Sequence, residues 1–138
     1  MYESKTQVRV RYAETDQMGY VYYGNYATYF EVARVEALRA LGMTYKDLED
    51  NGVMMPVLEN HSIFLKPGKY DELLTLNVHI KELPGVKIRF HYEIFNEGDN
   101  LIHKGTTLLA FVNMQSGRPC KCPESMYDLL RPFFNETA

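Results

Sequence analysis

Asn25–Leu41 reads NYATYFEVARVEALRAL, and this stretch sets the architecture of everything around it. Tyr26, Phe30, Ala33, Ala37 and Leu41 recur at three- and four-residue steps, which places them on one helical face. Val32, Val35 and Leu38 fall outside that stripe, so the predicted helix is apolar around much of its circumference. A helix of this kind is enclosed by its fold rather than laid on a surface. Gly42, just past the last apolar position, is the predicted stop. A second short helix is predicted from Thr44 to Asp50, with Thr44 as cap and Asp47 reaching back to it. Glu31 and Arg34, three residues apart, are expected to pair on the long helix.

Downstream the period falls to two. A strand is predicted over Val57–Leu65, ending at Lys66-Pro67-Gly68. Leu74, Leu76, Val78 and Ile80 then alternate with Thr75, Asn77, His79 and Lys81. After the turn signal Pro84-Gly85, Ile88, Phe90, Tyr92 and Ile94 alternate with Lys87, Arg89, His91 and Glu93. Asn96–Asn100 reads as a turn. Leu101–Asn113 carries Leu108, Leu109, Ala110, Phe111 and Val112, apolar on both faces as in a central strand. His79, His91 and His103 are assigned to the solvated sheet face.

Upstream, a strand is predicted over Thr6–Tyr12, then a turn from Glu14 to Gly19 and the aromatic run Tyr20–Tyr26. No repeat or linker interrupts the chain, so residues 1–138 are expected to form one domain. The predicted class is α+β, a curved antiparallel β-sheet wrapped around a long central helix.

Composition narrows the function classes. The 138 residues are 46% hydrophobic and 24% charged, with a net charge of -3 and a pI near 5.8. That balance argues against a general nucleic-acid or membrane-surface binder. No apolar run is long enough to span a bilayer, and the start, MYESKTQVRV, lacks the apolar core of a secretory signal. The two cysteines, Cys120 and Cys122, are separated by one lysine and make a poor structural disulfide, which points to a reducing, cytoplasmic setting. A C-x-C pair alone cannot close a tetrahedral zinc site, so no metal is expected. No phosphate-binding or dinucleotide glycine motif is present, hence no cofactor, and no Ser-His-Asp or Cys-His arrangement is evident.

Arg11–Arg39 holds seven aromatic side chains around one acidic turn. The string RYAETDQMGYVYYGNYATYFEVARVEALR resembles the signature of the 4-hydroxybenzoyl-CoA thioesterase family, which includes the small thioesterases encoded beside the Tol–Pal genes. The matching positions are Asp16, Gly19, the pair Val21-Tyr22, and Tyr26 inside the start of a long helix. Phe64-Leu65-Lys66-Pro67 and Tyr70-Asp71-Glu72-Leu73-Leu74 also resemble the family. The resemblance implies a hotdog fold of five or six strands, acyl-CoA as substrate, and a homodimer or homotetramer with active sites at the dimer interface. Many relatives carry histidine at the position of Tyr23; a histidine role there is absent from this chain.

On that resemblance Asp16 is the catalytic carboxylate, activating water or attacking the thioester to form a mixed anhydride. The backbone N–H of Tyr23 would bind the thioester oxygen, and Gly19 would let the chain turn sharply. The plainer alternative makes Asp16 a turn residue bonding its own backbone. Glu14 is a runner-up carboxylate, expected to be a solvated strand-end charge.

Tyr22 and Tyr26 read as acyl-pocket walls or as core, with core favoured for Tyr26 and Phe30. Asn25 reads as helix cap or as support for the Asp16 loop, the cap being favoured. Met54, Met55, Pro56 and Val57 are candidate acyl lining or ordinary core. Glu59 and His61 could border the site without belonging to a motif. Coenzyme A is polyanionic, so Lys66, Lys87, Arg89, Arg118 and Lys121 are candidate phosphate contacts. An acyl-carrier-protein thioesterase and a non-catalytic acyl-CoA-binding module stand as alternatives. A hydratase is disfavoured, because the Asp/His pair expected near the helix start is missing.

Overall fold

The computed structural model describes residues 1–134, so 135–138 of the expected domain lie outside the described residues. Helix α1 spans Asn25–Leu41, the predicted bounds. Tyr26, Phe30, Ala33 and Ala37 are buried along the predicted stripe, and Leu38 is buried beside it. Gly42 ends the helix at φ 108°, its N–H donating to the carbonyls of Leu38 and Arg39 at 3.1 Å each. Helix α2 (Tyr45–Asp50) starts as its sequence predicts. The Asp47 N–H donates to Thr44 Oγ1 at 3.1 Å, and Asp47 Oδ2 accepts from the Thr44 N–H at 2.9 Å.

Among the described residues, seven strands follow chain order: β1 (Tyr2–Arg9), β2 (Val53–Met54), β3 (Val57–Phe64), β4 (Leu73–Ile80), β5 (Lys87–Phe95), β6 (Leu101–Ala110) and β7 (Val112–Asn113). Five of them form one antiparallel sheet in the order β1-β4-β5-β6-β3, while β2 pairs with β7. The alternation in β4 and β5 sends Leu74, Leu76, Val78, Ile80, Ile88, Phe90, Tyr92 and Ile94 inward. Helix α1 packs on β1 and β4, and the sheet stays open rather than closing into a barrel. The long helix against a five-stranded antiparallel sheet is the arrangement that the resemblance implied.

Within the elements and the core, five departures from the sequence expectations stand out. Strand β1 runs over Tyr2–Arg9 rather than Thr6–Tyr12, and Tyr12–Glu14 form a 3-10 turn. Its less exposed face is Tyr2, Ser4, Thr6 and Val8, half of it polar, so the alternation is faint. The ladder ends where Arg9 pairs with Leu73. The expected strand over Leu101–Asn113 breaks at Phe111, whose N–H turns to the Val86 carbonyl at 3.0 Å. Helix α3 (Glu124–Leu130), which buries Met126 and Leu130, was not anticipated.

His103 is the fourth departure: it is fully buried rather than on the solvated face. Ile94 pairs with His103 and Phe95 with Leu101, so Ile102 is an extra residue on β6. This bulge turns both Ile102 and His103 inward and breaks the alternation from which the histidine was assigned. The fifth is Arg34, which forms no ion pair with Glu31 among the described residues. It is buried, with Nε donating to Tyr45 Oη at 3.2 Å and Nη1 to Tyr92 Oη at 3.1 Å. A guanidinium buried without a carboxylate needs such acceptors, and here they tie α1 to α2 and to the sheet.

Gly105 on β6 lies directly beneath the Phe30 ring of α1. A methyl group there would collide with the His61 carbonyl oxygen and lie 2.7 Å from the Phe30 ring. Gly105→Ala is therefore expected to destabilise the protein by about 3 kcal/mol, through overpacking against backbone that cannot yield. Urea unfolding of the two proteins checks this.

Candidate active site

The chain between β1 and α1 is a loop tied to the 66–70 segment. Thr15 pairs with Val21 and Tyr20 with Lys69 as isolated bridges. The Val21 N–H donates to the Gly68 carbonyl at 2.8 Å, and the Tyr70 N–H to the Gly19 carbonyl at 3.1 Å. At the tip, the Gly19 N–H donates to the Asp16 carbonyl at 3.0 Å. Gly19 sits at φ 77°, a region that side chains disfavour and glycine enters freely.

Asp16 serves this turn with one oxygen. Its Oδ1 accepts from the Met18 N–H at 2.9 Å and the Tyr20 N–H at 3.2 Å. No donor among the described residues engages Oδ2. The turn role and a catalytic role are thus compatible in one side chain, because they use different oxygens.

Asp16 borders a recess of about 340 Å³ whose walls include Tyr23, Tyr26, Phe64, Lys66 and Pro67. Helix α1 begins beside it. Gly24 holds the N-cap position without a capping side chain. Among the described residues, neither the Tyr23 nor the Gly24 N–H donates to a protein acceptor. Free N–H groups at the start of a 17-residue helix favour negative charge.

The structure thus gathers Asp16, Tyr23, Tyr26 and Lys66 around one recess, with Gly19 shaping its turn. Tyr22 instead lies exposed against the Tyr23 ring, 4.6 Å between centroids. Asn25 is the first helical residue rather than the cap, and its Nδ2 donates to the Glu14 carbonyl at 2.8 Å. The less favoured reading, support for the loop, is the one observed.

Glu14 is not a solvated charge. Its carboxylate accepts from the Arg11 N–H and guanidinium and from the Tyr29 hydroxyl, at 2.8–3.1 Å. Partial burial would raise its pKa, but these bonds outweigh that and hold it below the usual carboxylate value. The Tyr29 hydroxyl is pushed up, by burial first and then by Glu14.

The other candidates fall elsewhere in the chain. Met55 and Val57 line a separate recess with Glu31, Arg34 and Tyr45. Pro56 lends its carbonyl to the Ala110 N–H at 3.1 Å. Lys87 and Arg89 line a third recess with Lys81 and His91. Glu59 and His61 approach each other at 3.4 Å on the exposed strand β3.

Sequence reasoning missed His103. Its ring lies flat on Tyr26, 3.9 Å between centroids and 3° between planes, and Phe64 meets its edge at 4.7 Å. The signal that could have found it is the extra residue in Leu101–His103, which is invisible until the strands are paired.

Residues 18–103 match the thioesterase superfamily. The chain belongs to that superfamily. YneP of Bacillus subtilis, provisionally named an acyl-CoA thioesterase, is 36% identical over 93% of both chains. The acyl-CoA thioesterase YbgC of Haemophilus influenzae is 30% identical, over 86% of this chain and 88% of its own. Among solved structures, the DHNA-CoA thioesterase of Staphylococcus aureus superposes with a TM-score of 0.92 at 32% identity, covering 97% of this chain and 92% of its own. The hotdog fold expected for this thioesterase is the fold observed. No helix among the described residues is long and apolar enough to cross a membrane.

Burial holds the His103 pKa down from 6.5 to about 4. Between those values the unfolded chain binds a proton that the folded protein excludes. Stability should therefore fall as pH drops through this window, by up to about 1.4 kcal/mol per pH unit, with no contribution above it. His91 is lowered too, by burial and by Lys81 and Arg89, and adds to the same slope. Urea unfolding between pH 7 and 4.5 should show a shallower pH dependence for His103→Phe than for wild type.

Proposed function

We propose that this thioesterase hydrolyses acyl-CoA thioesters to the free acid and coenzyme A, with Asp16 as its catalytic carboxylate. The observation that carries the assignment is the unengaged Asp16 Oδ2, in a recess that also presents the start of α1. Oδ2 either takes a proton from the attacking water or itself attacks the carbonyl; both routes start from the same oxygen. The Tyr23 N–H receives the oxyanion that develops on the thioester oxygen, and one such donor contributes on the order of 100-fold in rate. Tyr20, Tyr23, Tyr26 and Phe64 give the recess aromatic walls, suited to a small or medium acyl group. Lys66 borders the same recess and serves the phosphates of coenzyme A.

A homodimer accounts for the remaining candidates. All eight residues of the edge strand β3 are exposed, Val57, Leu58, Ile63 and Phe64 among them. An exposed apolar edge recruits a second strand. Antiparallel pairing of two β3 strands about a two-fold axis would set the Val57 end of one protomer beside the Phe64 end of the other. Met55, Pro56 and Val57 of one subunit would then close the Asp16 recess of its partner. Further association to a homotetramer would leave that pairing intact. The two free thiols suit a reducing, cytoplasmic setting.

Asp16→Asn keeps an oxygen for the two turn bonds but removes the carboxylate. Thiol release from a panel of aromatic and straight-chain acyl-CoAs is expected to fall by about 100-fold or more, with the melting temperature nearly unchanged. Activity surviving in this folded variant would remove Asp16 from its role. Separately, light scattering on the wild type is expected to give twice the chain mass or a multiple of that; a monomer would end the dimer reading.

A further inference from the structure

His103 stands outside the chemistry just described, yet it touches the wall of the recess in which that chemistry takes place. Its imidazole covers the buried face of Tyr26, with ring planes 3° apart, and Phe64 stands against it edge-on. Tyr26 and Phe64 both line the Asp16 recess, and their rings meet at 5.6 Å. His103 Nε2 lies 3.0 Å from Ser62 Oγ on the edge strand β3, whereas Nδ1 is buried with no partner among the described residues. A buried ring nitrogen left unsatisfied costs stability, and leucine or phenylalanine in its place would not incur that cost.

Tyr26 carries the constraint onward. Its Oη accepts from the Gly68 N–H at 3.3 Å, and the Gly68 carbonyl accepts from the Val21 N–H. Val21 is bridged to Thr15, next to Asp16. One path of contacts therefore runs from Ser62 on the sheet edge, through His103 and Tyr26, to the loop that holds the catalytic carboxylate.

We infer that His103 is a positioning residue for thioester hydrolysis, a plate tethered to β3 through Ser62 that fixes Tyr26 and Phe64 and so sets which acyl groups the recess accepts. The inference rests on the Asp16 recess being the acyl site. The imidazole suits this task because it stays uncharged at neutral pH, held there by burial, and so does not draw water toward the wall. Its Ser62 contact fixes the rotation of the ring, which an apolar residue would leave to packing alone. The acyl groups discriminated are those bulky enough to press on Tyr26.

The test is the ratio of kcat/KM for a bulky aromatic acyl-CoA, benzoyl-CoA, to that for acetyl-CoA. It is measured in wild type, His103→Leu, His103→Phe and Ser62→Ala. The ratio does not depend on how much of a preparation is folded, so a merely structural role would leave it unmoved. His103→Leu removes the flat stack and is expected to shift the ratio by about tenfold, the scale on which pocket walls discriminate. His103→Phe keeps a flat ring and should recover part of the shift. Ser62→Ala should move the ratio in the same direction by less. An unchanged ratio in both His103→Leu and Ser62→Ala, with wild type turning over both esters, overturns the positioning role and leaves the thioesterase site standing. Wild type that cleaves neither ester, nor any other acyl-CoA, overturns both.

Discussion

The structure depends on one contact: the ring of Phe30 lying flat on the ring of Tyr92, 4.1 Å apart and 10° from parallel. It joins the middle of α1 to the middle of the sheet, and it is possible only because Gly105 presents no side chain beneath Phe30. A helix apolar around most of its girth must be enclosed, and an open five-stranded sheet encloses it only if the two approach closely. Tyr92 also carries a hydroxyl into the interior, and that group has to be satisfied. Arg34 and Thr107 do so, and Arg34 reaches on to Tyr45. The polar chain under the aromatic stack is therefore a consequence of the stack.

Fixing the middle of α1 fixes its N-terminus, and that is where the proposed site lies. The helix starts without a capping side chain, and among the described residues the Tyr23 and Gly24 N–H groups just ahead of it donate to no protein acceptor. In a purely structural helix such a start is a defect. Here the loop leading into it is held by other bonds: Asn25 to the Glu14 carbonyl, Glu14 to Arg11 and Tyr29, and Val21 to Gly68. Those bonds hold the loop in place while leaving the two N–H groups without a protein acceptor, as the proposed oxyanion role requires.

The parts of the fold legible in the sequence are those where periodicity and burial coincide. Asn25–Leu41 and strands β4 and β5 are read to within a residue or two because each has an uninterrupted inward face, and the short helix after Thr44 because its capping residues are local. β1 is obscured because its inward face includes Ser4 and Thr6. His103 is misplaced by a bulge, a feature of pairing between strands that no single strand announces. The site divides in the same way. Asp16, Gly19 and Tyr23 sit in one local stretch, and the resemblance to a thioesterase signature picks them out. Phe64, at the end of β3, lines the recess and His103, on β6, backs the Tyr26 wall; for both, sequence distance hides proximity in space.

At Asp16 the observed turn and the proposed catalysis draw on one carboxylate. An aspartate ahead of a glycine ordinarily spends its carboxylate on its own backbone, and this one does so with Oδ1. Those two N–H bonds hold the carboxyl plane in place, which leaves Oδ2 directed by the turn rather than by a flexible side chain. A catalytic oxygen fixed in this way loses little freedom when the substrate arrives, which is the condition under which positioning lowers a barrier. In the proposed mechanism the structural role of Asp16 does not compete with its chemistry; it supplies the orientation that this chemistry requires.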